Sequence, residues 1–148
     1  MALTKYKQKR NLKKSGEPEA KIKKSKTQIF VIHRHDASHL HWDLRLEIDG
    51  VLKSWAVPKE PPTAKGVKRL AIEVEDHPLD YADFEGIIPE GNYGAGKVEI
   101  WDNGTFELIE KDSNKIEFKL KGKKMKGSFV LIKTKYGEKK KGWLWMKV

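Results

Sequence analysis

Polar and apolar positions alternate strictly over residues 40–49: Leu40, Trp42, Leu44, Leu46 and Ile48 share one parity, and His41, Asp43, Arg45, Glu47 and Asp49 the other. A period of two is that of a half-buried β-strand. Residues 28–34 form a second run of strand type, Asp49-Gly50 a hairpin turn that needs positive φ, and residues 52–57 its return strand. Pro58, Pro61 and Pro62 then force a loop. Residues 68–76 alternate again, with Leu70, Ile72 and Val74 on one face and Arg69 and His77 on the opposite parity. Residues 77–96 are rich in Pro, Gly and acid and have no clean period, which predicts a long loop, a kind of segment that tends to be functional. The series continues with strands over 97–102, 105–110, 115–121, 127–133 and 143–148, and a turn at Asn103-Gly104. Roughly eight to nine short strands and no long helical pattern predict an all-β, single-domain antiparallel β-barrel over residues 28–148. Residues 1–27, poor in apolar side chains and rich in charge, predict a basic, flexible N-terminal arm.

Charge sharpens this picture. The formal net charge is +10, but residues 28–110 hold sixteen acids against eight Lys/Arg. The basic excess lies in the flanks: residues 1–27 hold ten Lys/Arg against two Glu, and residues 111–141 twelve Lys against three acids. Basic flanks attract polyanions by releasing their counterions, and an acidic, histidine-bearing centre favours cations. Nucleic acid outside and a metal inside is the economical reading. The alternative is that the lysines only solubilise the fold. With no cysteine, disulfides, thiolate zinc sites and cysteine nucleophiles are excluded. No apolar run is long enough for a signal peptide or a membrane span, so a cytoplasmic location is expected, with no membrane partner.

Four of the five histidines fall between His33 and His41. On a strand, His41, Asp43 and Arg45 stand in a row on the polar face, and His35 reaches the same spot from a preceding turn. Two imidazoles and one carboxylate suit a borderline divalent ion such as Mn, Fe or Zn and leave positions open. Arg45 beside it offers a planar fork of donors for a phosphate or carboxylate. Gly91, Gly94 and Gly96 match neither a dinucleotide nor a P-loop fingerprint and read as turn glycines. The five tryptophans suit base stacking. Trp42 and Trp55 are expected in the core, whereas Trp143 and Trp145, on one parity of the last strand, fit either role.

Several motifs then carry a family likeness. The runs 35–47 (HDASHLHWDLRLE), 52–59 (LKSWAVPK), 74–81 (VEDHPLDY) and 86–96 (GIIPEGNYGAG) resemble the 3′-phosphoesterase domain of DNA ligase D. The likeness spans residues 5–148, and without a Lys-x-Asp-Gly motif or room for polymerase or ligase modules the chain looks like a free-standing version of that domain. The resemblance implies a manganese-dependent prokaryotic β-barrel enzyme, with other divalent metals as substitutes. It implies removal of a 3′-terminal ribonucleoside from a DNA or RNA–DNA primer-template, then hydrolysis of the remaining 3′-phosphate to a 3′-OH for repair and end joining. A DNA ligase, a polymerase and a Ku-like end-binding protein are the implied partners. It further implies His35, His41 and Asp43 as metal ligands, and Arg45 and His77 on the phosphate with Tyr81 beside them. Lys59 and Arg69 would assist the phosphomonoesterase step, and Arg10 and Glu17 would complete the site from the arm. Asn11 stands where the family has Asp, and His33, as an outer-shell residue, where it has Gln.

Chemistry read from the residues agrees: direct attack by water, with Arg45 and His77 offsetting charge and His77 positioned to protonate the leaving oxygen. Two rivals remain open. His41-x-Asp43 with a distant His77 imitates the two-histidine, one-carboxylate triad of a non-haem Fe(II) oxygenase. A non-catalytic nucleic-acid-binding barrel would grip single strands through lysines and tryptophans.

Overall fold

The computed structural model describes residues 3–9, 28–135 and 141–148. Among them the alternation is realised as nine strands: β1 (Ile29–Asp36), β2 (Leu40–Ile48), β3 (Val51–Val57), β4 (Lys68–His77), β5 (Gly86–Ile88), β6 (Gly96–Lys111), β7 (Lys115–Lys121), β8 (Lys126–Lys133) and β9 (Gly142–Lys147). Hydrogen bonding runs in the order β1-β2-β3-β4-β9-β8-β7-β6-β5, and β1 also pairs with β6. Eight antiparallel strands thus close into a barrel, and β5 extends one edge of β6. The expected all-β antiparallel barrel is what forms. The predicted hairpin forms as well: Asp49 and Gly50 take φ of 55° and 79° and bring Ile48 opposite Val51.

One parity of each strand fills the barrel. Phe30 and Ile32 of β1, Leu44, Leu46 and Ile48 of β2, and Trp55 and Val57 of β3 pack with Phe118, Phe129, Leu131, Trp143 and Trp145 from the far wall. Trp143 and Trp145 are 5 % and 0 % exposed, so both are core residues and neither is available to a base. Trp42 packs partly buried on the same cluster. The opposite parity of β1 to β3 faces outward, yet much of it is covered. Val31 and Leu52 are buried there by Tyr6 and by Leu79, Tyr81 and Ala82. This outer layer consists of a short helix, α1 (Thr4–Lys9), and a 3₁₀ turn (Leu79–Asp83).

Four details depart from the sequence reading. No turn occurs at Asn103-Gly104: β6 runs straight through, because its first part pairs with β1 up to Thr105 and its second part pairs with β7 from Thr105 onward. Gly104 serves a close approach instead, since a Cβ there would overlap the Lys121 carbonyl oxygen. The loop predicted for 77–96 contains both the 3₁₀ turn and β5. On β4 it is Ala71 that is buried, while Leu70 and Ile72 are exposed. The interior there is already occupied: Trp143 lies opposite Ala71 and Trp55 opposite Glu73, their rings 6.0 Å apart. Finally, part of the basic arm is ordered. Leu3, just before α1, and Tyr6 within it are buried, which a low apolar content conceals. No helix of the described residues is long and apolar enough to cross a membrane.

Candidate active site

The outward parity of β1 and β2 builds the site. Their register sets His33 opposite Asp43 and His35 opposite His41, and side chains so paired have Cβ atoms about 5 Å apart. His35 therefore reaches His41 from a strand, not from a turn. The strand continues to Asp36 because β1 is paired on both edges, by β2 and by β6. The contribution of β4 depends on a bulge. Ser54 faces Val74 but Leu52 faces His77, so three steps along β4 match two along β3. One extra residue reverses the parity. His77, which the alternation assigns to the face opposite Val74, thereby joins Val74 on the outside, against Arg45. These elements surround a cavity of about 310 Å³.

On one wall, single donor atoms of His35, His41 and Asp43 lie within 4.8 Å of one another. Asp43 Oδ2 is 3.3 Å from His41 Nε2 and 3.7 Å from His35 Nδ1. The far nitrogens are committed elsewhere: His35 Nε2–H donates to the Gly94 carbonyl at 2.8 Å, and His41 Nδ1–H to the His39 carbonyl at 3.0 Å. A carbonyl only accepts, so the two nitrogens facing Asp43 are the ones that carry lone pairs in the neutral rings. Three donors converge, their tautomers are fixed from behind, and a divalent cation fits them. The set includes His35 rather than His77. Burial alone would raise the Asp43 carboxyl, but the charge of Arg45 and the two imidazoles beside it, when they carry a proton on this side, hold it well below the usual carboxylate range. Burial opposes protonation of His41, yet the hydrogen bond and charge of Asp43 keep it above its ordinary value. A cation here would replace protons that Asp43 otherwise attracts.

The adjoining wall carries N–H donors, a chemistry that suits an anion. Arg45, 3 % exposed, donates from Nε to His33 Nδ1 at 3.0 Å and from Nη2 to Asp43 Oδ2 at 3.3 Å. Its Cζ lies 4.8 Å from the centroid of the Tyr81 ring. His33 accepts because its own Nε2–H donates to the Phe84 carbonyl at 3.0 Å. Burial, then the neighbouring guanidinium, push the His33 imidazole down to about 3, so it is neutral. His77 Nδ1 is 3.0 Å from the Glu75 carbonyl and 3.4 Å from Ser54 Oγ, which gives its own proton to the Leu52 carbonyl at 3.0 Å. With two acceptors facing it, Nδ1 carries the proton; the 3.2 Å approach of Arg45 Nη1 is then a contact between two donors. Tyr81 meets the His77 ring edge-on at 4.6 Å and the His33 ring at 5.5 Å.

The structure thus brings His33, His35, His41, Asp43, Arg45, His77 and Tyr81 together. It does not bring Lys59 and Arg69 to the cavity. Lys59 is exposed, and Arg69 shares the parity of Ala71 and donates to the Glu60 carbonyl at 2.7 Å. Arg10, Asn11 and Glu17 lie outside the described residues. Several participants carried no clear sequence signal. Glu75 lines the cavity because of the bulge, and Lys9 of α1 reaches its Oε2 at 3.2 Å. Tyr6 packs edge-on against His77 at 5.3 Å. Gly94, at φ 74°, is a turn glycine as read, but its carbonyl also orients a candidate ligand.

Comparison with known proteins points to one family. The family profile of the DNA ligase D 3′-phosphoesterase domain matches residues 33–133. A multifunctional non-homologous end joining protein LigD of Pseudomonas aeruginosa is 46 % identical over 153 aligned residues, covering 98 % of this chain and 18 % of the relative. The LigD of Mycobacterium tuberculosis, described as a multifunctional non-homologous end joining DNA repair protein, is 46 % identical over 89 % of this chain. That of Mycolicibacterium smegmatis is 44 % identical over 90 %. The chain spans 18–19 % of the length of these relatives.

Proposed function

Since this chain belongs to the DNA ligase D 3′-phosphoesterase family, we propose that it heals 3′ ends: it removes a 3′-terminal ribonucleoside and then hydrolyses the 3′-phosphate to leave a 3′-OH for end joining. The observation that carries this reading is the contact between two donor sets of opposite preference. A lone-pair set (His35, His41, Asp43) and an N–H set headed by Arg45 share one cavity and meet through the 3.3 Å Arg45–Asp43 pair.

A phosphate bridging the two sets would use both. A divalent ion, with manganese as the expected species, held by His35, His41 and Asp43 would supply positive charge against phosphoryl oxygens and acidify water. Arg45 has five N–H groups, of which His33 and Asp43 occupy two, so hydrogen remains on both terminal nitrogens for phosphoryl oxygens. Because the guanidinium is already fixed, little reorganisation opposes its interaction with developing charge. Water attacks phosphorus, the bond to the leaving oxygen breaks, and that oxygen takes a proton. His77, with Nδ1–H held by Glu75, presents Nε2 as the group that exchanges it. The leaving oxygen is the nucleoside 5′-oxygen in the first step and the strand's own 3′-oxygen in the second, which frees inorganic phosphate, so one set of side chains serves both. Family likeness assigns Lys59 and Arg69 to assisting the second step, although neither lines the cavity, and Arg10 and Glu17, with Asn11 in place of the family's Asp, to completing the site. The strand-joining partners would be a DNA ligase, a polymerase and a Ku-like protein acting on the same ends.

The test is a labelled primer-template ending in one ribonucleotide, incubated with Mn²⁺ and resolved on a gel. Wild type should yield first a 3′-phosphate and then a 3′-OH product, and His41→Ala neither. Equal behaviour of the two proteins overturns the reading.

A further inference from the structure

The proposed chemistry uses groups that meet the phosphate and none that meets the base. Of the two tyrosines in the cavity lining, Tyr81 is 2 % exposed, its ring enclosed by Tyr6, His33, His77 and Phe84 and by the Arg45 guanidinium. Tyr93 differs: it lines the same cavity yet is 48 % exposed. The ring does not hang loosely. Asn92 N–H donates to Pro89 and Ala95 N–H to Asn92, and Gly91 and Gly94 on either side take φ of 88° and 74°, forming a tight turn. Gly94, the next residue, is the one whose carbonyl holds His35. Lys9 donates to the Tyr93 hydroxyl at 3.4 Å, with its Nζ 4.8 Å from the ring centroid. The ring is thereby positioned relative to the lone-pair set by one peptide unit, and tied to α1 by a cation.

Resting on the phosphoesterase reading, we infer that Tyr93 is the stacking shelf for the base of the last nucleoside, placed so that a strand end bound at the cavity has its base against this ring. A half-exposed aromatic at the mouth of a phosphate site suits this, because every base has a π-face. The rest of the mouth supports stacking over edge readout. Ala37, Ser38 and Ile88 also line the cavity, and among them only Ser38 offers a side-chain hydrogen-bonding group. The subsite therefore accepts any base and grips the larger purines more firmly.

Two measurements test it. In Mn²⁺, kcat/KM is compared on a ribonucleotide end with its base and on the same end lacking it. Tyr93→Ala should lose about 10- to 100-fold on the intact end, chiefly through KM, and nothing further on the abasic end, while Tyr93→Phe restores the wild-type value. Equal loss by Tyr93→Ala on both ends, or no loss on either, overturns the subsite. Stacking is read apart from turnover by placing 2-aminopurine at the terminal position and titrating without metal: wild type and Tyr93→Phe should quench its fluorescence and Tyr93→Ala should not. Wild type that quenches but cleaves nothing in Mn²⁺ removes the phosphoesterase reading and leaves the shelf standing. Wild type that cleaves without quenching removes the shelf.

Discussion

The Nε–H of Arg45 donates to Nδ1 of His33 at 3.0 Å, so the buried cation is held by a neutral imidazole on one side and by the Asp43 carboxylate on the other. His33 with a proton on both nitrogens could not accept this bond, and its charge would face the guanidinium.

That relationship makes the metal-free protein sensitive to acid. The folded His33 titrates at about 3 against an ordinary value of 6.5. Its folded value is depressed, so below pH 6.5 the unfolded chain binds the proton and the folded one does not, and stability falls as pH drops toward 3. Between pH 6.5 and pH 4 the loss is about 3 kcal/mol. His33→Gln keeps an acceptor for Arg45 and a donor for the Phe84 carbonyl without titrating. In chelator, the thermal midpoint of wild type should drop more than that of His33→Gln over this range; parallel pH profiles would count against the assignment.

Arg45→Lys should fold but fail at catalysis. An ammonium is a point donor and cannot meet His33, Asp43 and a phosphate in one plane. The expected loss is about 100-fold or more in kcat/KM on both the ribonucleotide and the 3′-phosphate end. Steady-state kinetics with a circular dichroism check decides it, and activity within a few-fold of wild type would show that only the charge matters.

Gly94→Ala tests the support behind His35. Its φ of 74° is costly for alanine, and the new Cβ would lie 3.5 Å from His35 Cε1. A shifted carbonyl releases the His35 ring, and outer partners of this kind are worth about 10- to 100-fold in metal affinity. Calorimetric Mn²⁺ titration should show that weakening with a stability loss of only about 1–2 kcal/mol. Unchanged affinity would mean that His35 needs no such support.

Tyr6→Ala removes a fully buried ring that touches both His77 and Tyr81. The expected cost is about 3–4 kcal/mol in chemical denaturation, together with a lower kcat as His77 gains freedom. Tyr6→Leu should recover much of the stability but less of the kcat. Equal recovery of both would reduce Tyr6 to a packing role.

How much of this the sequence discloses depends on whether a feature is local. The alternation of β2 suffices to place His41, Asp43 and Arg45 in a row, and Asp49-Gly50 marks its own hairpin. The side of the barrel that His77 faces is not local, because it depends on one unpaired residue in β4 measured against β3. Asn103-Gly104 carries a turn signal that its neighbours overrule, since β1 and β7 pair β6 to either side of it. Tyr6 looks like part of a charged tail until the 3₁₀ turn gives its ring somewhere to go. Main-chain donors and acceptors leave no trace in side-chain type, and so the carbonyls of Gly94, His39 and Phe84 are invisible to motif reading.

The candidate site stands on the outer wall of a barrel whose interior is filled by Trp55, Trp143, Trp145 and their neighbours. A strand end, on the proposed function, would therefore come and go sideways without any ladder bond opening. Above the site lie the outer pieces, α1 and the turn carrying Tyr93, which Lys9 joins to each other and to Glu75 of β4, while Tyr6 packs α1 on His77. Access to the site thus makes no demand on the strand ladder, and only the contacts of the outer layer stand between the site and solvent.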